Sequence, residues 1–132
     1  MKACLYAAMM SVATVFFATA TASADDAEAG KKVFAACRAC HQVGEKAKNG
    51  VGPELNGLIG RHSGSVEGYK YSPANKNSGI VWDEETFREY IKNPKAVIPG
   101  TKMTYAGLKD DQKISELIAY LKQFDAEGKT HD

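Results

Sequence analysis

The chain has 132 residues, room for one domain and no more, and a sequence of this size buries only a modest apolar core. Its 17 basic and 16 acidic side chains leave a formal charge of +1, which excludes a nucleic-acid binder, since that class needs a strongly basic face. The leading segment does not read as part of the domain. Lys2 gives a positive start, residues 5–20 form an apolar run broken only by small polar residues, and Ala22-Ser23-Ala24 is a cleavage site of the A-x-A kind. Together they predict a secretory signal peptide over residues 1–24, removed from the mature chain. The run is short and rich in Ala and Thr, which weighs against the alternative of an uncleaved membrane anchor. No second apolar stretch of spanning length follows, so residues 25–132 are expected to form one soluble domain.

Cleavage changes the counts that carry chemistry. Cys4 leaves with the leader, so Cys37 and Cys40 are the cysteines that remain, and Met103 becomes the one remaining methionine. With Lys2 gone, the 17 basic residues become 16, equal to the 16 acidic ones. An export signal implies an oxidising compartment, where a cysteine pair ordinarily forms a disulfide. These two are separated by only Arg38 and Ala39, too close for an ordinary structural staple, and the spacing points to cofactor or redox chemistry.

The first predicted helix covers residues 26–40. Asp25, Asp26 and Glu28 stand at its start, where negative charge favours the positive end of the helix dipole, and Gly30 and Phe34 share one face. From Val43 to Ile80 the chain is rich in Gly, Asn, Ser and Lys with little helical periodicity; so long an irregular segment in a small domain has a functional reason, and a large flat cofactor would supply one by giving loops an apolar surface to wrap. Within it, Ser72-Pro73 opens a single helical turn through Asn77, serine as cap and proline at the first position. Asp83 caps a helix burying Phe87, Tyr90 and Ile91, which Asn93-Pro94 ends. A second short turn follows Pro94 and stops at Pro99-Gly100. The last helix, over 111–125, carries the clearest signal: Ile114, Leu117, Ile118 and Leu121 fall on one apolar stripe, with Asp110 and Asp111 available as cap and first turn. No strand and no internal repeat is evident. The expectation is an all-α domain with long loops.

Cys37-Arg38-Ala39-Cys40-His41 is the strongest chemical motif, because C-x-x-C-H is the attachment sequence for c-type haem. Two thiols three positions apart near a helix end can each form a thioether to one of the two vinyl groups on one side of a porphyrin. The adjacent imidazole is then carried beneath the iron. A thioredoxin-like C-x-x-C would need a βαβ setting, which the pattern lacks. A zinc site would need four ligands, and beyond Cys37, Cys40 and His41 only His62, His131 or a carboxylate remain. Met103, in the loop Ile98-Pro99-Gly100-Thr101-Lys102-Met103, would for an arbitrary methionine be a core gap-filler. Beside a haem motif, and off any helical stripe, it is a candidate axial ligand, because a thioether binds haem iron and raises its potential. His62 is its competitor; His131 lies at the chain's end.

Three further segments carry a resemblance: GPELNGLIGR over 52–61, YKYSPANKN over 69–77 and PGTKM over 99–103. With the C-x-x-C-H motif they resemble the mitochondrial cytochrome c and bacterial cytochrome c2 (c-550) family, class I c-type cytochromes, in order and over essentially the whole mature chain. The leader fits the bacterial branch. The resemblance implies the cytochrome c fold over 25–132, with terminal helices crossing, and one haem c held covalently through Cys37 and Cys40 with His41 and Met103 as axial ligands. It also implies that Pro53 accepts, through its carbonyl, the hydrogen bond from the other nitrogen of His41. Tyr71 and Trp82 would donate to a buried haem propionate whose charge Arg61 offsets. Tyr90 would bring its hydroxyl to the Met103 sulfur, while Asn75 and Thr101 hold polar contacts on that side. Gly30 and Phe34 would meet Leu117 and Tyr120 where the terminal helices cross. For Phe34, Phe87 and Leu117 plain core packing is the preferred reading, whereas the polar handles of Trp82, Tyr71 and Tyr90 favour a haem role. The sequence departs from the family's mitochondrial members at the ring of lysines round the haem edge: Lys95, Lys102 and Lys109 match it, but Ala36, Ala96 and Asp110 replace positions often basic there.

The resemblance therefore implies a periplasmic, monomeric one-electron carrier rather than an enzyme. Its donor would be a quinol–cytochrome c oxidoreductase of the cytochrome bc1 type, and its acceptor a terminal oxidase or a photosynthetic reaction centre. Rival readings are a haem enzyme or gas-binding protein with a labile sixth ligand, and a thiol–disulfide oxidoreductase.

Overall fold

Why the helices after the first begin where they do is visible in their capping residues. The computed structural model describes residues 24–131, and the predicted leader, apart from Ala24, lies outside them. Helix α1 spans Ala24–Phe34 and α2 Pro73–Lys76; α3 spans Glu84–Lys92, α4 Pro94–Val97 and α5 Asp111–Leu121. The Ser72 hydroxyl accepts from the Asn75 amide at 3.1 Å, Asp83 from Thr86 at 2.7 Å and Asp110 from Lys113 at 3.1 Å. Each satisfies a backbone donor that the first helical turn cannot. The caps and prolines foreseen for α2 to α5 are the ones observed, and the described residues contain no strand, only isolated bridges between His62 and Val81 and between Phe124 and Thr130. No helix among them is long and apolar enough to cross a membrane.

Two helices end earlier than periodicity predicts. After Phe34 the chain tightens into a 3-10 turn over Ala35–Cys37, and the Cys37 carbonyl then accepts from both the Cys40 and His41 amides, at 3.1 and 2.9 Å. The predicted helix over 26–40 is therefore α-helical only to Phe34, with Cys37 in the 3-10 turn and Cys40 in the turn that the Cys37 carbonyl closes. Helix α5 stops at Leu121 because the next residues change from i→i+4 to i→i+3 bonding, Gln123 to Tyr120 and Phe124 to Leu121. The chain then folds back.

The core forms where α1 crosses α5. Phe34, Ile114 and Leu117 are almost wholly buried, Leu58, Trp82, Phe87, Tyr90 and Ile91 extend the cluster, and the rings of Phe34 and Tyr120 lie 5.4 Å apart. Gly30 decides how close the two helices come: a Cβ there would stand 1.9 Å from the Glu116 carbonyl oxygen. Helix α3 adds its buried Phe87, Tyr90 and Ile91 to the same core and packs against α5.

The cap of α3 also carries a pH signature. The amide and hydroxyl of Thr86 hold the Asp83 carboxyl below the usual carboxylate range. A depressed folded-state pKa contributes stability that is present above the unfolded value and lost as pH falls through the folded one. The melting temperatures of wild type and Asp83→Ala should accordingly differ at neutral pH and converge as pH falls below about 4. A gap that stays constant through acid melting would mean that the charge of Asp83 plays no part in the cap.

Candidate functional site

The turn after α1, the loop over 51–71, helix α3 and the loop before α5 enclose a cavity of about 290 Å³. Leu55, Leu58, Trp82, Phe87, Leu117 and Leu121 give it apolar walls. Every residue given a haem contact in the sequence reading lines it: Cys37, Cys40, His41, Pro53, Arg61, Tyr71, Asn75, Trp82, Tyr90, Thr101 and Met103. His62, the competitor for the role of Met103, also reaches the lining, but it is exposed; His131 does not reach it.

His41 is fixed on one side. Its Nδ1 donates to the Pro53 carbonyl at 2.7 Å, which leaves Nε2 as the nitrogen with a free lone pair. Burial pushes the imidazole pKa down, against the pull of the Pro53 carbonyl, and the nearby Arg61 cation pushes it down further, so the neutral, ligating form is favoured. Gly52 packs against the same ring: a Cβ there would fall 2.3 Å from Cε1 and 2.8 Å from Nε2. The position therefore has to be glycine for the imidazole to keep its place. Sequence reading assigned Gly52 no role, although its adjacency to Pro53 was the available signal.

On the Met103 side the hydroxyl of Tyr90 donates to the sulfur at 3.3 Å. Burial raises the Tyr90 pKa, opposed by the neighbouring Thr101 and Asn75 side chains, so it stays a proton donor at neutral pH. Thr101 Oγ1 accepts from the Met103 amide at 3.3 Å within the methionine loop, and Ser72 Oγ donates to Asn75 Oδ1 at 3.0 Å within the α2 cap; the two meet at Gly100, where a Cβ would stand 3.2 Å from that of Ala74. Trp82 is buried with its ring 4.8 Å from that of Tyr90.

Arg61 is half-buried and donates to the carbonyls of Asn56 and Glu54, at 2.8 and 3.1 Å, with the Glu54 carboxylate 3.5 Å away. Tyr71 accepts from the Val66 amide at 3.1 Å, and its own proton remains available to an acceptor in the cavity. Two contacts unforeseen in the sequence hold the loop over 62–71 against the loop over 49–54. Tyr69 donates to the Val51 carbonyl at 2.7 Å and Asn49 donates to that of Glu67 at 2.9 Å. Of the three lysines matched to the family's ring, Lys102 donates to the Lys70 carbonyl at 2.7 Å and Lys109 to that of Lys92, so both ammonium groups are engaged at the surface.

The donor set fits a covalently held haem. Two thiols, an imidazole with one free nitrogen and a thioether line a single apolar cavity, and a glycine keeps the imidazole side clear. The thiols are not joined to each other, and with no strand among the described residues a thioredoxin-type βαβ setting is missing.

An all-α domain with a C-x-x-C-H turn opening onto an apolar cavity defines a c-type haem protein, and the comparisons with known proteins agree. The cytochrome c family profile matches residues 27–125. The chain is 65% identical over 109 residues to cytochrome c2 of Blastochloris viridis, covering 83% of this chain and 86% of that one. It is 64% identical over 104 residues to cytochrome c-550 of Nitrobacter winogradskyi, covering 79% and 95%. Among solved structures it resembles cytochrome cH from Methylobacterium extorquens, with a TM-score of 0.69 and 46% identity over 74% of this chain and 97% of that one. The chain belongs to the cytochrome c family. Within it, this is a class I bacterial c-type cytochrome, an electron carrier whose haem c is attached through Cys37 and Cys40.

Proposed function

We propose that the protein is a periplasmic one-electron shuttle with His41 and Met103 as axial ligands. It would take electrons from a quinol–cytochrome c oxidoreductase of the bc1 type and pass them to a terminal oxidase or a photosynthetic reaction centre. The observation that carries this reading is the pair of hydrogen bonds behind the two candidate ligands, His41 to Pro53 and Tyr90 to Met103, across residues that line one cavity. Each bond fixes the orientation of one candidate ligand, leaving a lone pair for iron. When bound, the haem supplies reversible one-electron chemistry at its iron.

The chain's own residues do the rest. Pro53 selects the His41 tautomer and raises the basicity of its free nitrogen. Tyr90 draws electron density from the Met103 sulfur and holds it in place. Apolar walls exclude water, and Tyr71, Trp82 and Arg61 supply donors and positive charge for the carboxylates that a haem brings, which would otherwise be costly to bury. With both axial positions filled, a substrate has no place to bind, which separates a carrier from a haem enzyme or gas binder. The leader read over residues 1–24 supports export. The relatives' names support the carrier role. Transient docking near the haem edge would be steered only weakly, because Ala36, Ala96 and Asp110 remove positive charge there.

The purified holoprotein should bind cyanide and carbon monoxide slowly at neutral pH and show negligible peroxidase turnover. Rapid uptake of either ligand by the native protein would replace the shuttle with the enzyme or gas-sensor reading.

A further inference from the structure

The turn that follows α5 does more than end the domain's contacts. Asp125 organises it: its Oδ1 accepts from the amides of Glu127 at 3.0 Å and Lys129 at 2.8 Å, and its amide donates to the Lys129 carbonyl at 3.0 Å. Thr130 bridges back to Phe124, and His131 donates its amide to Gln123 at 3.1 Å. The turn so formed seats on the loop that carries Pro53. The Phe124 carbonyl accepts from the Gly57 amide at 3.1 Å, and Gly57 packs on the Ala126 backbone, where a Cβ would stand 3.0 Å away.

Gly128 makes the closest approach. It is buried at φ +79°, and a Cβ there would lie 2.3 Å from the Gly44 carbonyl and 2.7 Å from Asn56 Nδ2. Asn56 is buried and staples the loop to itself: its Oδ1 accepts from the Gly44 amide at 2.8 Å and its Nδ2 donates to the Gly44 carbonyl at 3.0 Å. From Asn56 the connections run directly to the site. Its amide donates to Glu54, Arg61 clasps the carbonyls of both Asn56 and Glu54, and Pro53 precedes them with its carbonyl on His41.

We propose that residues 125–131 form a positioning element that, through Gly128, Asn56 and Gly57, holds the Pro53 carbonyl on His41. The turn touches neither His41 nor the cavity, so it acts only through the loop. Its effect on potential rests on the reading of His41 as an axial ligand; its effect on the hydrogen bond does not.

The test uses the reduced holoprotein and three variants. Asp125→Ala removes the acceptor of the Glu127 and Lys129 amides, Asp125→Asn keeps an acceptor oxygen, and Gly128→Ala crowds Gly44 while leaving Asp125 in place. Hydrogen exchange is followed by NMR at His41 Nδ1–H, at the Gly57 amide and, as a reference inside α5, at the Leu117 amide. In Asp125→Ala and Gly128→Ala, His41 Nδ1–H and Gly57 should exchange about tenfold faster, the equivalent of about 1.4 kcal/mol, on the scale of a hydrogen bond lost from the loop. Leu117 should keep its rate, Asp125→Asn should match wild type, and the midpoint should move positive as His41 loses basicity. Unchanged Nδ1–H exchange, or equal acceleration at Leu117, would overturn the proposal. Faster Nδ1–H exchange with an unmoved midpoint would leave the turn its role and count instead against His41 as the iron's ligand.

Discussion

Met103→Ala should lower the midpoint potential by at least on the order of 100 mV, a modest part of the roughly 0.8 V that axial ligation spans. It should also open the iron to cyanide. The thioether is a soft donor that favours the reduced iron, and the Tyr90 hydroxyl at 3.3 Å draws further density from its sulfur. Alanine removes both the donor and the target of that hydrogen bond. Tyr90 would stay buried with its ring 4.8 Å from that of Trp82, so the pocket wall should survive and the loss should be one of ligation rather than of folding. His62, which reaches the lining but is exposed, is the one other imidazole there. A redox titration of the variant, with a visible spectrum and a cyanide challenge, checks all of this. A midpoint and cyanide reactivity equal to wild type would remove Met103 from the iron and leave His62 to be tested in its place.

Gly30→Val carries the largest expected cost to folding. Helix propensity alone would favour replacing this glycine, by up to about 1 kcal/mol for alanine. Packing decides the opposite. The first carbon of any side chain would stand 1.9 Å from the Glu116 carbonyl oxygen, 2.6 Å from its carbon and 2.7 Å from Tyr120 Cβ. Two of these three atoms are backbone and cannot swing aside, so α1 and α5 would have to move apart. Their separation would loosen Phe34, Leu117 and Tyr120 together. Overpacking of this kind costs about 3 kcal/mol or more. In a domain this small that lowers the melting temperature by on the order of 15 °C. Melting followed by far-ultraviolet circular dichroism gives the answer, and a variant melting within a few degrees of wild type would show that the crossing tolerates a side chain.

The covalent chemistry and the starts of α2, α3 and α5 are written in local sequence. Attachment depends on two thiols and an imidazole at fixed spacing along the chain, and caps depend on a side chain reaching an amide three residues on, so both are local and readable from Cys37, Cys40, His41, Ser72, Asp83 and Asp110. The stripe of α5 was legible for the same reason. Resemblance to a family, rather than periodicity, pointed to Pro53 behind His41 and Tyr90 behind Met103. What depends on distant segments meeting was legible only in the folded chain. Folding turned the chain back after Leu121, where the Phe124 carbonyl meets the Gly57 amide. It required glycine at position 52 because the His41 ring occupies the space a side chain would need, and it closed the loop over 62–71 through Tyr69 and Asn49. It also seated Gly128 on Gly44 and Asn56. These are contacts between residues distant in sequence, set by atomic exclusion at the glycines and by hydrogen bonds between loops, and no local periodicity encodes them.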